Sequence, residues 1–531
     1  MTFGKLKRGT ALSRIVMIAA LGLASTGALA NEVSLKSADG TVNLTGEFVD
    51  FVDDNYIIRT ALGELRISAA RVRCEGAACP SFEDVTADVT IAGSDTVGEA
   101  LMPLLMSGFA GSMDAESSVV ATSTATDVVA SFVGDAGFGD ELGSFLIRST
   151  VSGDAFDALL DGTAEVGMAA RRITPNEARA LRDAGAGNMV SPSQEHIIAV
   201  ESMVVILHPS NPLDTLNKEQ LRDIYEGRVT NWSELGGNDE PIRVGAREAE
   251  TGSRAVFEDR VFLGDRADLV SGAFIAQSNN DLAAFVNSEP GGIGYVGYAF
   301  QRGAKPITVV NHCGMPMTPN VFAAKTEEYA LNRRIYLYNT DDGASDWASD
   351  LIEFAMSPEA DSVITKAGFI NLGVQRQSQS SDSARAQMLQ NANVDAFERG
   401  IISEMLTSMQ SHDRLSTTFR FRTGSSRLDE RARIDMIRLV DYLQTLPEGT
   451  SVKVVGFTDD VGPYESNLVL SKDRAASVLG SLQAEYGDAL TNVTFSSTGY
   501  GETAPATCNT DDQGRSINRR VEIWVESGTA S

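Results

Sequence analysis

GFTDDVGPYESNLVLSKDRAASV, residues 456–478, is followed after a short break by GYGETAPATCNTDDQGRSINRRVEIWV, residues 499–525. Val452 to Val455 before them and Val521 to Val525 at their end are β-branched and apolar-rich, the composition of strands. Between them, Asn467 to Glu485 places Leu468, Val478, Leu479 and Leu482 at helical spacing. Thr458 and Asp459 fall on the turn leading into that helix, where a carboxylate and unpaired backbone N–H groups face outward together. Arg474 stands two helical turns beyond Asn467, on the same face. The stretch therefore sets an anion and a cation a short distance apart, which suits a zwitterionic ligand.

Taken in order, T-D-x-x-G at 458–462, Asn467, L-S-x-x-R-A at 470–475, G-Y-G-E at 499–502 and N-x-x-x-x-G-R-x-x-N-R-R-V-E at 509–522 closely resemble the OmpA-like peptidoglycan-binding domain. The resemblance implies that Asp459 holds the ammonium and Arg474 the carboxylate of a diaminopimelate side chain in the cell-wall peptide, with Thr458 and Asn467 beside them. It implies that Asn518 and Arg519 lie near the ligand groove, and that Phe421 and the turn after it line one side. Phe457 stands where the family usually has His, a departure with no expected effect on binding. The blander reading is that Asp459 caps the helix and Arg474 lies on a solvated face. On the family reading, an α/β domain at 413–531 anchors whatever precedes it to the wall.

What precedes it is long. The 531 residues suffice for roughly three or four domains. The formal charge is −28. The first thirty residues carry Lys5, Lys7, Arg8 and Arg14 and no acidic side chain, so the remainder is more negative still. Such a charge argues against nucleic acid or anionic lipid as a partner, and requires any anion site to be built locally. Residues 1–30 have the pattern of a signal peptide: a basic start, an apolar run from Ile15 to Leu23, and Ala28-Leu29-Ala30 as a cleavage site. The run is too short to span a bilayer, and no transmembrane segment is expected in the mature chain. Recognition of a diaminopimelate peptide places the product in the periplasm of a Gram-negative bacterium, wall-associated, with outer-membrane contact left open.

In an oxidising compartment Cys74 and Cys79 are close enough in sequence to form a disulfide. Cys313 and Cys508 lack local partners and either pair across domains or stay as buried thiols. His196, His208, His312 and His412 are scattered, without metal-ligand spacing, and are read as structural; no metal or cofactor is expected.

Residues 31–85 alternate in short β-like runs and predict a small β-barrel or sheet, an accessory module closed by the Cys74–Cys79 link. Residues 86–373 alternate strand and helix, which favours an α/β fold with a mostly parallel sheet. Two lobes, with the chain crossing near Val200 and returning near Thr308 (second lobe about 201–308), would leave a cleft between them. Residues 117–148 read as a β-rich insertion. From Val374 the composition turns polar, rich in Gln and Ser, and 374–412 reads as a flexible linker with a lead-in helix over Val394 to Met409.

The cleft chemistry lies in turns at helix starts, where backbone N–H groups and small hydroxyls gather around an oxyanion. Ser94, Asp95 and Thr96 lie in GSDTV, Ser152 and Gly153 in STVSGDAF, and Thr251, Gly252 and Ser253 in AETGSRAVF. Arg247 is near enough to the last to clamp the same ligand, and Arg171 follows another strand end. One Gly-Ser turn alone means little, because such turns and caps are common; three in order mean more. With these landmarks, residues 88–373 resemble the phosphate-binding, PstS-type periplasmic solute-binding proteins. The resemblance implies a two-lobed periplasmic-binding-protein fold, phosphate as ligand and an ABC permease as the partner served. Arg247 with Thr251-Gly252-Ser253 matches the family's R-x-x-x-S-G-T with Ser and Thr exchanged. Ala169-Ala170-Arg171 departs from it, removing a hydroxyl or carboxylate from the ligand shell. A carboxylate acceptor favours protonated phosphate over sulfate, and Asp95 is the remaining residue placed to supply one.

The chain is therefore expected to be multidomain, with a small β domain, a two-lobed α/β binding domain and a C-terminal OmpA-like domain. The function expected is a solute-binding protein for phosphate or a related oxyanion, held non-covalently on peptidoglycan. The alternative is a structural envelope protein whose cleft domain is a spacer or protein-contact module. No nucleophile-plus-base pair, metal cluster or Walker loop argues for an enzyme.

Overall fold

The computed structural model describes residues 32–528 apart from 38–42, 53–54, 62, 69–71, 77, 80–86, 123, 125–126, 263–267, 312, 318, 330, 342 and 422–430. The expected signal peptide, His312 and the turn after Phe421 thus lie outside the described residues. No described helix is long and apolar enough to cross a membrane.

The N-terminal strands Glu32–Lys36, Asn43–Val52, Asn55–Thr60, Gly63–Ser68 and Arg73–Glu75 form one antiparallel sheet. Gly63–Ser68 and Arg73–Glu75 are its two separate edges, so among the described residues it is an open sheet rather than a barrel. Val33, Leu35, Tyr56, Ile58 and Val72 form its core, on which Val120 of the next domain packs. Cys74 and Cys79 are disulfide-bonded.

The strand Glu195–Leu207 organises the large domain. EHIIAVESMVVIL is almost continuously apolar, as a strand covered on both faces must be, and every residue of it is buried. Its first half pairs with Asn332–Tyr338 and its second half with Gly292–Gly297, both antiparallel. It thereby runs from one lobe into the other. In the first lobe Val89–Ser94 lies between Val166–Ala169 and Glu141–Thr150, parallel to both. In the second, Arg243–Arg247 lies parallel between Gly292–Gly297 and Phe274–Ala276. The sheet is mixed rather than mostly parallel. Its lobe centres are parallel, while the crossing strands and the Glu116–Ala121/Asp127–Val133 hairpin are antiparallel.

The return crossing is at Asn332, not near Thr308. Thr308–Val310 joins Thr215–Asn217 and Pro316–Met317 in a small sheet. Val309, Met317, Tyr329 and Leu331 belong to the second lobe's core with Trp232, Tyr225 and Tyr295.

The C-terminal sheet runs in the order Arg376–Gln377, His412–Arg420, Arg520–Glu526, Thr450–Gly456, Val493–Gly499. Arg431–Gln444 and Tyr464–Tyr486 cover one face. The other face is covered by Ala384–Asn391 and Ala396–Ser411. From these two helices Ala386, Leu389, Ile402, Met405 and Met409 pack against Val455, Phe457, Tyr500 and Trp524. The expected linker is therefore part of this domain. Its polar residues face out, and the few apolar ones sit at helical spacing.

This domain is fastened to both lobes. A Cys313–Cys508 disulfide ties it to the second lobe, resolving the pairing that the sequence left open. Arg414 pairs with Glu328 at 2.6 Å. Arg414, Arg520 and Arg385 surround the fully buried Glu522. On the first lobe, Arg438 meets Asp361 at 3.3 Å, and Asp435 meets Arg334 of the crossing strand at 3.5 Å.

Candidate functional site

The three loops singled out in the large domain come from both lobes. Ser94 ends a strand at the N-cap position of the helix Asp95–Ala100, without a side-chain capping bond. Ser152 starts the helix Ser152–Asp161, and its Oγ accepts a hydrogen bond from the Ala170 N–H at 3.1 Å. From the second lobe, Gly252 opens the helix Gly252–Val261 so close to Ser152 that a Cβ there would lie 2.7 Å from Ser152 Oγ. Only glycine lets the lobes approach this far.

Arg247 spans the same boundary. Its Nη2 donates to Asp95 Oδ2 at 2.5 Å and to the Gln277 carbonyl at 2.8 Å. Its Nε donates to the Ala276 carbonyl at 3.3 Å. The side chain is 1% exposed, yet Nη1 has no partner; Ser253 Oγ, on an equally buried residue, has none either. An unmet buried polar group costs about 1–3 kcal/mol. Two of them, one charged, lie on loops that meet the opposite lobe.

Other predicted residues have different employment. Asp95 accepts from the Thr96 N–H at 2.7 Å and from Arg247, so its carboxylate orients the guanidinium. Thr251 is the helix cap: its Oγ1 accepts from the Arg254 N–H and donates to the Glu248 carbonyl. Arg171 is held by Glu177 at 2.6 and 2.9 Å and lies over the Phe156 ring. Burial alone would raise the Glu177 carboxyl, but Arg171 and the Thr174 N–H hold it below its ordinary range. Arg171 is thus a neutralised cation beside Gly153, whose added Cβ would stand 3.7 Å from Arg171 Nη2.

Sequence reasoning missed the layer beneath Thr96. Asn279 Nδ2 donates to Thr96 Oγ1 at 3.2 Å, and Arg333 Nη2 approaches it at 3.5 Å while pairing with the buried Glu201 at 2.5 Å. The usable signal was charge inside two otherwise apolar strands: Glu201 in VESMVV, and Arg333 with Arg334 in RRIYLY. Burial raises the Glu201 carboxyl, opposed by Arg333.

The second site lies at the ends of the C-terminal domain's inner strands, His412–Arg420, Arg520–Glu526 and Thr450–Gly456. Gly456 has the Ser471 carbonyl where a Cβ would be, 1.9 Å away, so the helix Tyr464–Tyr486 presses onto the sheet. That brings Arg474 under Phe421, 5.3 Å from its ring, with Nη1 donating to the Phe457 carbonyl at 3.2 Å. Burial lowers the Arg474 guanidinium to about 10, Asp459 opposing and Arg519 adding to the shift; it stays charged at neutral pH. Asp459 Oδ2 accepts from Arg519 Nη1 at 2.7 Å. Asn467 donates to the Asp459 carbonyl at 3.2 Å and to Glu502 at 2.5 Å. Thr458 Oγ1 is buried without a partner. Asp459, Arg474, Arg519 and Phe421 are thus one cluster. Asn518 serves the fold instead: its Oδ1 accepts from Ala506 and Thr507, and its Nδ2 reaches Thr507 and Asn509.

Residues 85–359 match the family described as a PBP superfamily domain, and residues 420–519 match the OmpA family. The phosphate-binding protein PstS of Bacillus subtilis is 28% identical over 178 residues, covering 33% of this chain and 57% of that protein. The outer membrane porin F of Pseudomonas aeruginosa is 34% identical over 137 residues, 26% of this chain and 36% of that one. This chain therefore spans only part of the length of either relative. An ABC-type phosphate transport receptor from Vibrio cholerae aligns with a TM-score of 0.40 at 23% identity, over 53% of this chain and 99% of that one.

Proposed function

Because the chain belongs to the PBP superfamily and carries an OmpA-family domain at its C-terminus, we propose that it is a receptor for phosphate or a related oxyanion, non-covalently attached to peptidoglycan. The observation that carries this reading is the pair of unmet buried donors, Arg247 Nη1 and Ser253 Oγ, at the closed meeting of Ser152 and Gly252. The anion is bound by closure of two lobes on the strand Glu195–Leu207, without chemistry on the ligand. Delivery to an ABC permease in the periplasm is part of this proposal. So is the capture of a diaminopimelate ammonium by Asp459, displacing Arg519, and of its carboxylate by Arg474.

Calorimetry on the anion-stripped mature chain tests the first half. Phosphate binds, with sulfate as the comparison anion, and Ser253→Ala weakens binding about tenfold, the value of one charge-assisted bond. Absence of heat with both anions overturns it. One observation favours the structural-envelope alternative: the C-terminal domain is fastened to both lobes, which restrains opening. Exchange of bound anion on a timescale of hours instead of seconds would support that alternative.

A further inference from the structure

The two strands that cross between the lobes carry a buried ion pair at the crossing itself. Glu201 of Glu195–Leu207 and Arg333 of Asn332–Tyr338 stand directly opposite one another in the antiparallel register. Their side chains are 1% and 3% exposed, and Arg333 Nε donates to Glu201 Oε2 at 2.5 Å. A Cβ at Gly297, in the neighbouring strand Gly292–Gly297, would lie 1.6 Å from Glu201 Oε1, so glycine there leaves room for the carboxylate.

From this pair a continuous chain of contacts leads to the anion loops. Arg333 Nη2 donates to Thr96 Oγ1 of the first lobe at 3.5 Å. Asn279 Nδ2, at the start of the second-lobe helix Asn279–Ser288, donates to the same oxygen at 3.2 Å. Thr96 Oγ1 in turn donates to Asp95 Oδ1 at 3.4 Å, and Asp95 Oδ2 holds Arg247. Charge alternates along this line, from Glu201 through Arg333 and Asp95 to Arg247. The groups also sense one another: burial raises the Glu201 carboxyl and Arg333 opposes it, while Asp95 adds to the rise and Arg247 to the opposition.

Stability alone does not account for such a pair. Arg333 Nη1, Glu201 Oε1 and Asn279 Oδ1 are buried without partners, and each group of that kind destabilises the fold. Two apolar side chains in place of a buried ion pair are often as stable or more so. What the pair supplies is a fixed donor. A guanidinium held by a carboxylate across the crossing strands keeps one orientation, with Nη2 on the hydroxyl where the lobes meet.

Resting on the oxyanion reading of Arg247, we propose that Arg333, aimed by Glu201, is a positioning residue of the anion site, and that its contact with Thr96 sets the closed arrangement in which Asp95 presents Arg247 to the ligand. Thr96 Oγ1 receives one donor from the crossing strand and one from the second lobe, which leaves its own hydrogen for Asp95. Without Arg333 that hydroxyl is freer to turn, and Asp95 loses a fixed partner. Arg333 acts through Thr96, not on the anion.

The test is calorimetry with inorganic phosphate, and sulfate beside it, on the anion-stripped mature chain, with thermal melts of the same ligand-free samples. Arg333→Met combined with Glu201→Met removes the pair without stranding a buried charge. This double variant is expected to melt at or above the temperature of the unsubstituted chain, yet to bind anion about tenfold more weakly, the value of one charge-assisted bond. Thr96→Val is expected to cost less affinity in the double variant than in the unsubstituted chain, because the two changes remove a shared contact. A pair that serves only the fold would lower the melt and leave the affinity of the folded protein unchanged. A lowered melt, unchanged affinity, or losses that simply add overturn this inference and leave the receptor reading standing. No binding of either anion by the unsubstituted chain overturns both.

Discussion

Ser253 and Arg247 both have unmet donors, but they should respond differently to removal. Ser253→Ala deletes a buried hydroxyl with no partner, so the ligand-free protein should keep or gain stability, by up to ~1 kcal/mol, while losing anion affinity. Arg247→Ala strands Asp95 beside a vacated space, and breaking such a pair costs about 3–5 kcal/mol. Thermal melts of the two ligand-free variants therefore move in opposite directions although both bind anion poorly. Gly252→Ala should abolish tight binding with little change in the melt of the open form, since its methyl meets Ser152 only when the lobes close. At the wall site, Asp459→Asn should release the protein from purified sacculi; unchanged sedimentation would refute that assignment. At this scale the sequence placed the three turns at helix starts, where they are, and said less about what each side chain does there. Serine, threonine and glycine at a helix start look alike whether they cap, like Thr251, or stand free, like Ser253. Which one remains unpaired depends on packing from the other lobe.

Among the elements, strong periodicity was legible and weak amphipathicity was not. The helix Tyr464–Tyr486 and the strands flanking it lie where the apolar pattern placed them. Residues 374–393 misled because their surface is Gln- and Ser-rich, whereas the helix expected over Val394 to Met409 is there as Ala396–Ser411. Ala386 and Leu389 are a narrow apolar stripe that becomes meaningful only against Trp524 and Phe457. The return crossing was expected near Thr308, but Thr308–Val310 pairs with Thr215–Asn217 and Pro316–Met317 instead. A fragment beginning at residue 413 should accordingly be much less stable than one beginning at 374. Equal melting temperatures by circular dichroism would contradict the packing of the two helices.

Across the whole molecule, the C-terminal domain joins the lobes through a junction that is covalent on one side and ionic on both. The Cys313–Cys508 bridge closes a sequence separation of 195 residues. Replacing both cysteines by serine should cost about 2–5 kcal/mol and speed release of bound anion, because the second lobe is then held by non-covalent contacts only, among them the Arg414–Glu328 pair and the Asn311–Thr507 hydrogen bond. The ionic part makes the junction acid-sensitive. Burial alone would raise the Glu522 carboxyl, but Arg385, Arg414 and Arg520 hold it far below the ordinary range; burial and Arg414 act in the same opposing senses on Glu328, with Arg414 prevailing. A carboxyl depressed in the folded state contributes fully above its unfolded value of about 4.3 and loses that contribution as pH falls toward the folded one. Stability should therefore be flat near neutrality and fall steadily below about pH 4. Replacing Glu522 by Gln should flatten that acid limb while lowering stability at neutral pH.

The central claim is that one chain holds an oxyanion and the wall at once. Purified sacculi mixed with the mature protein and radiolabelled phosphate, then sedimented and counted, test it most directly. Label should pellet with sacculi only when intact protein is present. It should fall with Ser253→Ala, which leaves the protein in the pellet, and be lost from the pellet with Asp459→Asn, which leaves the protein in the supernatant. Protein that pellets without label, or label that binds a protein remaining in solution, would contradict the account.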